Sequence, residues 1–245
     1  RDSATGFAGS ANTIIRTENS ARSWSTVSSE AAAVDAGSGV VQAIAFGSNT
    51  FGAAVGDRGL VLLSTDGGRV WRLRSGPLQG FRPKGMQFPA VERGYFVSYD
   101  SRVWRTDDSG TSWRRCPTVV SSELVGASFQ SRDSGWAIGM DGSAIHTADG
   151  GENWRVVRLP TFSTAAMTGI AFRDESNGFV VGTTGEILRT RDGGATWSQQ
   201  WSGCMTALRA VAWADHSCIV VAGDSGVLLR STDEGERWQR VPIPM

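Results

Sequence analysis

The chain has 245 residues, enough to bury a sizeable core, with 24 basic and 24 acidic side chains; that balance argues against an electrostatic nucleic-acid binder. No apolar run approaches the roughly 20 residues that cross a bilayer, so no direct membrane span is expected. Three cysteines without CxxC spacing (Cys116, Cys204, Cys218) and two histidines in different parts of the chain (His146, His216) speak against a disulfide framework and a zinc site, and no metal or cofactor is expected.

From the N-terminus onward the chain repeats itself. Residues 6 to 28 supply three short strands around TENSARSW (Thr17 to Trp24), an eroded octapeptide with Asn19 and Ala21 where later copies carry Asp and Gly. Intact copies follow at STDGGRVW (Ser64 to Trp71), TDDSGTSW (Thr106 to Trp113), TADGGENW (Thr147 to Trp154), TRDGGATW (Thr190 to Trp197) and STDEGERW (Ser231 to Trp238). The six tryptophans are spaced 47, 42, 41, 43 and 41 residues apart, a period at which each repeat is one supersecondary element that cannot bury its apolar face alone. The units run approximately over 1–28, 40–75, 85–117, 124–159, 167–200 and 206–243 within a single domain, 1–245.

The fifth unit shows the plan in full. MTGIAF (167 to 172) alternates and ends in an aromatic, GFVVG (178 to 182) is apolar and β-branched, EILRT (186 to 190) leads into the box, and a fourth strand starts at Trp197. Polar turns such as RDESNG (173 to 178) join the first two strands, and paired glycines in GDRG (56 to 59), GMDG (139 to 142), GTTG (182 to 185) and GDSG (223 to 226) favour tight hairpins between the next two. The prediction is an all-β protein, a β-propeller of four-stranded antiparallel blades, six-bladed or part of a seven-bladed ring.

Within each octapeptide (hereafter the box) the Asp can accept hydrogen bonds from its own turn and the Gly supplies a positive φ. The Trp can pack back under the turn, its indole N–H finding a partner. Asp66, Trp71, Asp108, Trp113, Asp149, Trp154, Asp192, Trp197, Asp233 and Trp238 are therefore expected to be structural, because a catalytic group is needed once and these recur.

The boxes, the Arg that precedes them in IIRT, VWRT, ILRT and LLRS, and the aromatic-Val-x-Gly strand GFVVG resemble the photosystem II stability and assembly factor family of plants and cyanobacteria and its bacterial relatives, whose box is the bacterial neuraminidase repeat. The resemblance covers nearly the whole chain. It implies a non-catalytic scaffold in the periplasm or thylakoid lumen that holds a protein subunit of a membrane complex during assembly, and it implicates an Arg-rich surface in partner binding. The alternatives are a permanent accessory subunit of a photosynthetic or respiratory complex and a sialidase-like glycoside hydrolase.

Candidate partner-binding residues are Arg16, Arg105, Arg189 and Arg230, which precede the box Ser/Thr; Leu63 and His146 fill the other two places. They form either an arc of charge suited to carboxylates or stems lying against their box tryptophans. The insertion RSGPLQGFRPKG (74 to 85) adds Phe81, Arg82 and Lys84, the sole Lys. A hydrolase would need two facing carboxylates; Asp57, Asp141 and Asp224 recur at equivalent turns, where Asp is ordinary turn chemistry. Tyr95 and Tyr99 are the only tyrosines, and no catalytic residue is assigned. Arg1-Asp2-Ser3 aligns with Arg173-Asp174-Glu175, a turn that follows a first strand, so the first strand of the first unit is expected either upstream, with any export signal before it, or from another polypeptide that fills the gap by strand addition.

Overall fold

The computed structural model describes residues 4–10, 13–30, 40–74, 82–160 and 166–242. Arg1-Asp2-Ser3, Phe81 and position 243 at the end of the last predicted strand lie outside them. Contacts divide the chain into two compact units, Arg1–Cys116 and Pro117–Met245, each of which carries three sheets.

In the first unit, blade one has β1 (Gly6–Ser10), β2 (Thr13–Thr17) and β3 (Ser25–Thr26). The strand β4 (Ser28–Ser29) leaves that sheet and pairs in parallel with the outer strand of blade two, Ser28 opposite Val70 and Ser29 opposite Trp71. Blade two is β5 (Val41–Phe46), β6 (Gly52–Gly56), β7 (Val61–Ser64) and β8 (Val70–Leu73); blade three is β9 (Pro83–Gln87), β10 (Gly94–Ser98), β11 (Arg102–Thr106) and β12 (Arg114–Cys116).

The second unit repeats the plan. Blade four is β13 (Leu124–Phe129), β14 (Gly135–Gly139), β15 (Ala144–Thr147) and β16 (Arg155–Val157). Blade five is β17 (Met167–Phe172), β18 (Gly178–Gly182), β19 (Ile187–Thr190) and β20 (Ser198–Gln200). Blade six is β21 (Leu208–Trp213), β22 (Ile219–Gly223), β23 (Val227–Ser231) and β24 (Gln239–Arg240). The fold is all-β, built of six blades of the β-propeller type, and no helix of the described residues is long and apolar enough to cross a membrane.

Apolar β-branched and aromatic residues explain why the second strands sit deepest: β6, β10, β14 and β18 are buried at every position, as expected for strands covered on both faces. Two features of the ladders set up the site. The residue before each box lies directly across from the second residue of the strand that precedes its own, giving the pairs Phe7 and Arg16, Ala53 and Leu63, Tyr95 and Arg105, Trp136 and His146, Phe179 and Arg189, and Val220 and Arg230. A bulge recurs near the start of the first strand, at Gln42, Val125, Thr168 and Arg209, and Lys84 occupies it in blade three; an extra residue there re-aims its side chain.

Candidate functional site: the box turns and the residues that precede them

Each box is closed by the same hydrogen bonds. In blade four Thr147 Oγ1 donates to Asp149 Oδ1 at 2.9 Å and accepts from Gly151 N at 2.8 Å, while Asp149 Oδ1 accepts from Asn153 N at 2.9 Å. Equivalent sets close the boxes of Asp66, Asp108, Asp192 and Asp233. The eroded copy keeps the geometry: Thr17 Oγ1 donates to Asn19 Oδ1 at 2.9 Å, and Ala21 holds a φ of +64° where the others place Gly. The Asn153 backbone and side-chain N–H groups hold the Asp149 carboxyl down at about 2, and Asp192 is lowered by Thr196 in the same way. Such carboxylates are turn acceptors, ionised throughout the physiological range.

The tryptophans only partly follow expectation. Trp71 is fully buried and its Nε1–H donates to Gly68 O at 3.2 Å. Trp113, Trp154, Trp197 and Trp238 are packed by other aromatics, yet their indole nitrogens meet no hydrogen-bond partner among the described residues. Trp24 of the eroded box is 42% exposed. Ring burial, with its large apolar area, outweighs the single lost hydrogen bond.

The arginines before the boxes do not lie on their own box tryptophans. Arg16 and Arg189 stand over the cross-strand rings of Phe7 and Phe179, at 5.9 and 5.8 Å. Arg16 is ion-paired with Glu18, Arg105 is buried and held bidentately by Asp107 at about 3.0 Å, and Arg189, also buried, reaches Glu236 at 2.8 Å and Glu234 at 3.5 Å. Arg230 alone of the four is exposed, with Nε donating to Cys218 Sγ at 3.2 Å. Arg82 and Lys84 are exposed, Lys84 over the Tyr99 ring at 4.8 Å; Phe81 lies outside the described residues.

The turn aspartates are engaged locally. Asp224 takes a two-point ion pair from Arg209, at 2.9 and 2.6 Å, which lowers its pKa. Burial raises the Asp141 carboxyl, and hydrogen bonds from Ser143 outweigh this and lower it overall. Asp57 accepts from Val40 N. Asp141 and Asp224, lowered rather than raised, do not resemble a general acid.

Sequence reasoning missed the space beside Leu63. A groove of about 650 Å³ opens between blades two and three, with Phe51, Leu63, Val70 and Val91 among its walls. The signal was present in the sequence, because Leu63 breaks the Arg pattern, but its meaning depends on which residues of the next box it faces.

Repeated blades closed by Ser/Thr-x-Asp turns define an Asp-box β-propeller. The sequence pattern of the family described as photosynthesis system II assembly factor YCF48 matches residues 154–245. The chain is 29% identical over 76 residues to the photosystem II assembly lipoprotein Ycf48 of Synechococcus sp. (strain CC9902), a stretch that spans 29% of this chain and 22% of that relative. Among solved structures, YCF48 bound to D1 peptide superposes with a TM-score of 0.77 at 19% identity, over 98% of this chain and 77% of that one. YCF48 from Cyanidioschyzon merolae gives 0.78 at 18% identity, over 98% and 81%. An ancestral GH74 enzyme gives 0.65 at 14% identity, over 83% of this chain and 31% of the enzyme. These likenesses show the fold, a β-propeller, and a match to the assembly-factor pattern over the C-terminal residues 154–245.

Proposed function

We propose that the protein is a non-catalytic scaffold that binds a segment of a membrane-protein subunit, of the D1 kind, during assembly or stabilisation of a membrane complex on the exported side of the membrane, periplasm or thylakoid lumen. The observation that carries this reading is the family match over residues 154–245 together with the likeness across 98% of the chain to a YCF48 structure that holds a D1 peptide. The carboxylates support it too: the box aspartates close turns, and Asp57, Asp141 and Asp224 are each satisfied within their own blade. Partner contact is proposed at Arg230, Arg82, Lys84 and Phe81, with Arg16, Arg105 and Arg189 holding neighbouring acidic side chains in place.

Titration of the purified chain with a D1 peptide tests the reading. Saturable binding that weakens when Arg230, Arg82 and Lys84 are replaced together by Ala, with the melting temperature kept, is the expected result; no binding would overturn it. Hydrolysis of an aryl glycoside, abolished by Asp57→Asn, Asp141→Asn or Asp224→Asn, would establish the hydrolase instead. Stoichiometric co-purification with the mature complex, rather than with immature forms, would establish a permanent subunit.

A further inference from the structure

We infer that the groove between blades two and three docks an extended segment of a protein partner in which a large apolar side chain stands next to a carboxylate. The inference rests on the scaffold reading and adds to it a site and a ligand chemistry.

The internal repeat supplies the comparison. In blade five the residue before the box is Arg189, which crosses to the box of blade six and meets Glu236 at 2.8 Å and Glu234 at 3.5 Å. That plug leaves about 180 Å³ beside it. Counting along the boxes, Ser109 and Thr111 of blade three stand where Glu234 and Glu236 stand in blade six, and Leu63 of blade two stands where Arg189 stands. The cross-strand partner has shrunk as well, from Phe179 to Ala53. Ion pair and ring are both absent, and the space grows to about 650 Å³ with Phe51, Leu63 and Val70 in its lining. A groove with an apolar lining and a few polar groups at its mouth is the usual form of a recognition pocket.

The rim selects the neighbour of the apolar residue. Arg72 and Arg74 both line the groove, and the Arg72 side chain is 75% exposed. The two acidic groups on the same rim are engaged by the fold. Asp66 Oδ1 accepts from Ser64 Oγ, Arg69 N and Val70 N at 2.8 to 3.0 Å, and Glu30 Oε2 accepts from Leu73 N at 2.8 Å. Glu30 also shows that a carboxylate is stable here, 3.7 Å from Arg72. An incoming acid would find guanidinium groups able to grip it in two-point fashion.

The test uses the full chain and the fluorescein-labelled peptide acetyl-Ser-Gly-Asp-Leu-Phe-Gly-Ser-amide, read by fluorescence polarisation. Saturable binding is expected. It should weaken at least tenfold in Leu63→Arg with Thr111→Glu, which installs the plug of blades five and six. It should weaken as much in Arg72→Glu with Arg74→Glu, two surface changes that keep the fold. A peptide with Lys for Asp should bind the native chain at least tenfold more weakly and recover on the Arg72→Glu, Arg74→Glu chain. Absence of binding by the native chain, or equal binding by native and plugged chains, would overturn the groove, as would indifference to the charge swap. D1 peptide bound with full strength by the plugged chain, alongside failure of the heptapeptide, removes the groove and leaves the scaffold reading. Heptapeptide binding without D1 peptide binding does the reverse.

Discussion

The passage from blade five to blade six and the passage from blade two to blade three are built on one register and filled in opposite ways. At the first, Arg189 stands over Phe179 and is neutralised by two glutamates of the next box. At the second, Leu63 faces Ser109 and Thr111 beside an open groove. At these two junctions the residue before a box is matched to the fourth and sixth residues of the box that follows, whereas Arg16 and Arg105 pair with Glu18 and Asp107 of their own boxes. A third solution appears between blades four and five, where the box after His146 has Gly193 and Ala195 at those positions, neither of which carries a carboxylate.

The largest effect should come from removing the ring that underlies the charged junction. Phe179 is fully buried, stacks edge-on against Trp238 at 5.8 Å and leans on Gly235. Phe179→Ala should cost about 3 to 5 kcal/mol, measured by urea denaturation, whereas Leu63→Ala should fall at or below the low end of the ~2 to 5 kcal/mol range, because it borders space that water can enter. Equal losses at the two positions would show that the groove is as tightly packed as the charged junction.

Glycine substitution separates backbone strain from packing at the same two junctions. Gly235 and Gly110 have φ values of +88° and +78°, so both resist a side chain, by about 1 to 2 kcal/mol. A Cβ at 235 would come within 2.4 Å of the Phe179 ring, and one at 110 within 3.0 Å of Leu63 Cδ2. Gly235→Ala is expected to be the more damaging by about 1 to 2 kcal/mol, from overpacking against a ring that cannot move. Reversal of that order in melting experiments would contradict the account of the packed junction.

What the sequence revealed follows the same line. Box, blade and fold class were readable because a period of forty-odd residues repeats the same turn chemistry, and each box closes with partners from its own eight residues. The parallel addition of Ser28–Ser29 to blade two carried no signal, since two serines show neither periodicity nor hydrophobic pattern. The bulge that re-aims Lys84 was equally silent. The groove was half legible: Leu63 stood out as an exception, but Thr111 becomes its counterpart only once the register pairs the blades. Of the arginines, the sequence located the positions and could not show that Arg105 and Arg189 are buried against acidic partners.

The eroded box offers a smaller, stabilising change. Ala21 sits at φ +64° and its N–H donates to Thr17 Oγ1 at 3.1 Å, as the glycine does in the intact copies. Ala21→Gly should raise stability by about 1 kcal/mol, relief of left-handed strain exceeding the entropy that glycine adds to the unfolded chain. A loss of stability on calorimetry would mean that blade one depends on the alanine methyl for packing.

The smallest effect concerns His146 and is read from pH. Its ring lies against Trp136 at 4.6 Å, its Nδ1 accepts from Arg155 Nε at 3.3 Å, and its Nε2 faces Ser134 Oγ at 3.4 Å. Burial first, and the Arg155 charge second, push its pKa down from 6.5 to about 4. The folded protein therefore keeps the ring neutral where the unfolded chain has already bound a proton. Stability from this group is fully present above pH 6.5, and it falls as pH is lowered towards 4, where folded and unfolded forms carry the same charge. Because the ring is only half-buried, solvent screening reduces the slope below that of a fully buried group. His146→Gln should flatten the decline between pH 6.5 and 4 without changing the steeper acid loss below it, which belongs to box carboxylates such as Asp149, held at about 2. Installing a counter-charge with Ala195→Glu, the residue that corresponds to Glu236, should raise the His146 pKa, measured by its ring proton shifts in NMR. An unmoved pKa in that variant would break the correspondence between His146 and the box of blade five.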